Sequence, residues 1–92
     1  MKKRVIARFY IKKESIEIFK KEAEKIIKKT RNEKGCLFYS LFQDVSSPGE
    51  FLFYEEYASQ DALDIHSNSE HLKTFRTIVS NMQSKEKVVD II

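Results

Sequence analysis

One stretch of the chain limits its fold more than any other. Between Cys36 and Tyr57, two runs of alternating residues are apolar on both of their faces. Cys36 to Asp44 carries Phe38 and Phe42 on one side and Leu37, Tyr39 and Leu41 on the other. Phe51 to Tyr57 stays apolar on both sides until Glu55 and Glu56. Val45-Ser46-Ser47-Pro48-Gly49-Glu50 between them reads as a turn, which makes the pair a β-hairpin. Phe38, Tyr39, Phe42, Phe51, Phe53, Tyr54 and Tyr57 concentrate most of the chain's aromatic residues here. A strand that lies on a core and faces water needs one apolar side; a hairpin apolar on both needs a cover on both.

The rest of the sequence supplies one cover. Arg4 to Ile11 alternates with Val5, Ala7, Phe9 and Ile11 on one face, which is strand periodicity. Glu14 to Arg31 changes to helical spacing through Ile16, Phe19, Ala23, Ile26 and Ile27; basic residues fill its last turn and Gly35 follows. Ser59 can cap a short helix through about Asn68, and a second helical piece carries Leu72, Phe75, Ile78, Val79 and Met82 in step. Val88 to Ile92 reads as a last strand. The order β-α-β-β-α-β predicts an α+β, ferredoxin-like sandwich with an antiparallel sheet, in one domain spanning residues 1–92. Its helices cover one sheet face. The simplest cover for the other is a second copy of the chain, so we expect a homodimer.

Several function classes are disfavoured. Seventeen basic against 14 acidic side chains give a net charge of +3, a mild excess spread over the N-terminus and a lysine-rich helix face. An RNA-recognition module shares this strand order, but needs a basic, glycine-containing third strand. Phe51-Leu52-Phe53-Tyr54-Glu55-Glu56-Tyr57 has no glycine and two carboxylates, so no nucleic-acid partner is expected. No apolar run approaches membrane-spanning length, and Arg8, Lys12 and Lys13 interrupt any leader-like segment, so no membrane partner is expected. The lone Cys36 excludes an internal disulfide and reads as an inert small residue; a cytoplasmic location is the expectation. No phosphate loop, nucleophile elbow or paired-carboxylate motif is present.

Several segments, in order, resemble the antibiotic biosynthesis monooxygenase (ABM) family: Ala7-Arg8-Phe9, Asn32-Glu33-Lys34-Gly35-Cys36-Leu37-Phe38-Tyr39, Phe51 to Tyr57, Ala62-Leu63-Asp64-Ile65-His66 and His71-Leu72-Lys73-Thr74-Phe75. The resemblance implies a dimeric α/β barrel of ferredoxin-like units, each with a pocket between sheet and helices. It also implies one of several activities. The first is oxidation of a quinol or polycyclic phenol by O2 without metal, flavin or other cofactor. A second is isomerisation of a phosphorylated signalling sugar derivative; a non-catalytic dimeric ligand-binding or stress protein is the rival outside enzymes. Haem degradation is disfavoured, because the chain has no Trp and lacks the expected Asn near Ala7.

Cofactor-free oxygenation needs an apolar pocket for a small aromatic substrate and a base to make the phenolate. His is the natural base near neutral pH. His71, at the border of an apolar helical stripe, is the first candidate; His66, across the Ser67-Asn68-Ser69 break, is the second; Glu55 can orient or accept from a His. Arg8, Tyr39, Tyr54, Tyr57, Leu72 and Phe75 are the candidate substrate-binding residues, although core or dimer packing is the plainer reading of the tyrosines. His66, His71, Glu55 and Cys36 match no known ligand spacing, so no metal site is expected.

Overall fold

A computed structural model describes all of residues 1–92. The strands are β1 (Lys3–Ile11), β2 (Cys36–Gln43), β3 (Glu50–Tyr57) and β4 (Gln83–Ile91); the helices are α1 (Ile16–Arg31), α2 (Gln60–Ser67) and α3 (Glu70–Val79). Single 3-10 turns precede α1 and follow α3. The strands form one antiparallel sheet in the order β2-β3-β1-β4, which is the ferredoxin-like arrangement the sequence predicts.

The two periodicities meet in the core. Val5, Ala7, Phe9 and Ile11 of β1 and Phe51, Phe53, Glu55 and Tyr57 of β3 point to the helical layer, every second residue in each. Helix α1 answers with Phe19, Ala23, Ile26 and Thr30, at steps of four, three and four. Phe19 packs 4.7 Å from the ring of Phe51, while Phe53 and Phe75 meet edge to face at 5.8 Å and 88°. Such pairs add to plain burial because ring edges and faces carry opposite partial charge.

Local chemistry sets where α2 and α3 begin. Ser59 Oγ accepts from the Ala62 amide at 3.2 Å and Ser69 Oγ from the Leu72 amide at 3.3 Å, each satisfying an otherwise orphan donor. Gly35 lets α2 close on the α1–β2 turn: a Cβ there would lie 2.3 Å from that of Ala62.

β4 begins at Gln83, five residues before the Val88 start read from the sequence. Gln83 to Lys87 is polar because β4 is an edge strand, bonded only to β1 and largely open to water; a period-2 apolar signal is not required there. Bulges at Arg8/Tyr10 and Tyr10/Ile11 adjust its register.

The opposite sheet face has no helix on it. Phe38, Phe42 and Val88 lie there, 43%, 50% and 45% exposed, beside Ile6, Leu52 and Tyr54. No helix is long and apolar enough to cross a membrane.

Candidate active site

A cavity of about 170 Å³ opens between the sheet and α2–α3. Val5, Ala7 and Phe9 of β1, Phe53 of β3, Phe75 of α3 and Val89 of β4 give it an apolar floor and sides. The polar groups on its wall are few: Tyr39, Glu55, His66, Ser67, Arg76 and Lys87.

His66 is the centre of the polar wall. It is 3% exposed, with the Tyr57 ring 5.2 Å away and the Tyr39 ring 5.4 Å away. Its Nδ1 lies 3.0 Å from Glu33 Oε2. The same carboxylate oxygen is 2.5 Å from His71 Nε2. A carboxylate only accepts, so the contact fixes a proton on Nδ1 of His66 and leaves Nε2 with its lone pair. That Nε2 looks toward Glu55, 3.8 Å from Oε1 and too far for a direct hydrogen bond. Glu55 Oε1 in turn accepts from the Tyr57 hydroxyl at 2.6 Å.

Burial tunes these groups in opposite senses. It pushes the Glu55 carboxyl up to about 7, with the charge of Glu33 adding to the rise and the Tyr57 hydrogen bond opposing it. It pushes His66 below its ordinary value; the Glu33 hydrogen bond and charge work against that fall without reversing it. His66 is therefore neutral near pH 7, with its basic nitrogen uncovered. Tyr39 and Tyr57 are held well above the usual phenol range, chiefly by burial and then by the charge of Glu55, and stay neutral.

The candidates taken from the sequence separate into three places. His66, Glu55, Tyr39, Leu72 and Phe75 line the cavity. His71 and Tyr57 stand behind that wall: His71 braces Glu33, and Tyr57, fully buried, holds Glu55. His71 stands one carboxylate away from the position expected of a base. Arg8 and Tyr54 are on the other sheet face, where Arg8 pairs with Asp90 at 3.2 Å and the Tyr54 hydroxyl donates to Glu56. β-strand alternation puts them there, because their neighbours Ala7 and Phe53 face the helices.

Glu33 was not among those candidates. It sits in the polar turn after α1, where a carboxylate ordinarily reads as solvated; the approach of α2 over Gly35 sets it against His66, and the start of α3 adds His71. The ligand atoms of Glu33, His66 and His71 lie within 4.8 Å of one another, so these three residues are the donors that can hold a cation; Glu55 and Cys36 stand outside the set. The Cys36 thiol is pushed up to about 11 by burial and by Glu33, which makes it a poor ligand and nucleophile.

An antiparallel sheet backed by three helices, with a small apolar cavity holding a buried imidazole on its wall, defines the class, and solved structures share the fold. The chain superposes on a conserved protein from Methanosarcina mazei with a TM-score of 0.95, 28% identity and coverage of 100% of this chain and 91% of that one. It superposes on a structure described as an antibiotic biosynthesis monooxygenase with a TM-score of 0.93 and 37% identity, covering 98% and 95%. Residues 4–77 match the family model of the antibiotic biosynthesis monooxygenases, and the chain belongs to that family. A Mycobacterium tuberculosis relative named "Putative monooxygenase Rv0793" is 31% identical over 88 residues, 96% of this chain and 86% of the relative.

Proposed function

We propose that the chain is a cofactor-independent monooxygenase for a small phenol or quinol, with His66 as general base and Glu33 as the residue that positions it. The observation that carries the reading is a neutral, carboxylate-oriented imidazole with a free Nε2 on the wall of a cavity whose lining is mostly apolar. Family membership supports a monooxygenase-like activity.

His66 Nε2 takes the phenolic proton. The resulting phenolate delivers electrons to O2, a carbon–oxygen bond forms, and the second oxygen leaves as water with protons that the substrate supplied. For a quinol the balance is quinol plus O2 giving hydroxyquinone plus water, with the substrate as the sole reductant. The neutral tyrosines and the apolar floor exclude water from the radical step. Ligand pockets more often hold roughly 300–1,000 Å³; about 170 Å³ suits one or two fused rings better than a larger polycycle. The apolar lining also argues against a sugar phosphate, whose hydroxyls would find few partners.

We further propose a homodimer through the uncovered sheet face, supported by its exposed Phe38, Phe42 and Val88. The test of the activity is O2 consumption with a two-ring quinol above its uncatalysed oxidation. Tight binding of such ligands with no O2 uptake would move the protein to the non-catalytic binding class.

A further inference from the structure

We infer that the natural ligand is an aromatic acid, whose carboxylate lies between Arg76 and Lys87. This rests on the reading of the cavity as the substrate site and adds the class of substrate.

Arg76 of α3 and Lys87 of β4 line the cavity from different elements. Most of the other lining side chains are apolar. Neither cation has an ion-pair or hydrogen-bond partner in the protein. Elsewhere several of the chain's cations are paired: Lys2 with Glu56 at 2.9 Å, Arg8 with Asp90 at 3.2 Å, and Lys25 with Glu22 at 3.0 Å. Arg76 stands exposed at the cavity mouth and Lys87 is half-buried; two like charges at one apolar cavity repel each other, an arrangement that an anion between them relieves. Lys87 shows that cost: burial, and then the charge of Arg76, lower its pKa.

Glu55 is the one acid among the lining groups; the charge of Arg76 acts on its carboxyl, but no ion pair or hydrogen bond joins it to either cation. Its oxygen is engaged by the Tyr57 hydroxyl, and burial keeps the carboxyl half-protonated near neutrality. The Lys87 ammonium lies over the Phe9 ring, 5.8 Å from its centroid, so its charged end faces the cavity floor. The guanidinium offers a planar fork suited to a carboxylate, and the ammonium adds a point charge. A ligand with an aromatic ring on the Phe9–Phe53–Phe75 floor, a hydroxyl at His66 and a carboxylate at Arg76 and Lys87 engages the base and both cations of the wall.

The test is direct binding, free of turnover. Affinities of 1-hydroxy-2-naphthoate and 1-naphthol are measured by calorimetry on the intact wild-type protein under nitrogen, at low and high salt. We expect the acid to bind on the order of tenfold or more tightly at low salt, since charge-assisted contacts are the strong ones, with the advantage shrinking as salt rises. Arg76→Gln and Lys87→Gln should each cut that preference, read as the ratio of the two affinities in the same variant, and the double variant should abolish it. Equal affinity for the two ligands in wild type overturns the proposal, as does a preference that survives in the double variant. Because no oxidation is involved, the result stands whether or not the protein consumes O2. Conversely, a quinol oxidase with no preference for acids would keep the proposed reaction and lose this substrate class.

Discussion

Replacing Glu55 with glutamine should remove a pH-dependent weakness from the fold. Glu55 is 5% exposed, and burial lifts its carboxyl from an ordinary 4.5 to about 7. An acid that holds its proton more tightly folded than unfolded favours the fold at low pH. That contribution is complete below 4.5 and is lost as pH rises through about 7. The gap, at roughly 1.4 kcal/mol per pH unit, amounts to about 3 kcal/mol between pH 4.5 and 8. For a domain of this size each kcal/mol moves Tm by roughly 4–8 °C, so the effect is on the order of 10 °C. The amide oxygen introduced by Glu55→Gln can still accept from the Tyr57 hydroxyl, so the substitution keeps the contact and removes the ionisation. His66 titrates in the opposite sense, its neutral form favoured by folding, but it is common to both proteins and leaves the comparison intact. The assay is urea or thermal unfolding of both proteins from pH 5 to pH 8. Wild type should lose stability relative to the variant across that range. Parallel curves would show that Glu55 does not titrate near 7 and would refute the electrostatic account of the wall.

Other consequences follow from the same geometry. His66→Ala should lower turnover per folded molecule by roughly 10²–10⁴-fold, whereas His71→Ala, one carboxylate removed from the cavity, should cost far less; steady-state rates on both variants decide their order. Glu33→Gln removes the group that supports protonation of His66, so kcat should fall and the acid limb of the kcat/KM profile, already below 6.5 in wild type, should move to still lower pH. Exhaustive dialysis against a chelator should leave turnover unchanged; a loss restored by one divalent cation would recast Glu33, His66 and His71 as a metal centre. Phe42→Asp, on the open sheet face, should yield a folded monomer by sedimentation, and a folded wild-type monomer at micromolar concentration would defeat the homodimer.

Much of the fold was legible because alternation and helical spacing are local signals. Val5, Ala7 and Phe9 of β1 and Phe19, Ala23 and Ile26 of α1 are buried in the phase their spacing predicts. The start of β4 was hidden because an edge strand tolerates polar residues on both sides. The site was legible in part. His66, Glu55, Leu72 and Phe75 meet at one cavity, but the roles of the two histidines depend on Glu33, which is 33 residues from His66 and 38 from His71. No local pattern marks a carboxylate that is enclosed only when α2 closes over Gly35 and α3 follows it. Arg8 and Tyr54 are candidate substrate-binding residues by sequence, and strand alternation sends them to the opposite face; Phe53, one residue from Tyr54, is 1% exposed in the helix-side core.

A phenolate made by His66 and oxidised by O2 in this cavity fixes where both oxygen atoms go. The most direct measurement is the fate of ¹⁸O2 during oxidation of 1,4-dihydroxynaphthalene, read by mass spectrometry of the promptly quenched product in wild type and His66→Ala. One ¹⁸O atom should appear in the hydroxynaphthoquinone per turnover and the other in water, with labelled product lost in the variant. Unlabelled naphthoquinone accompanied by hydrogen peroxide, or labelled product formed equally by His66→Ala, would contradict it.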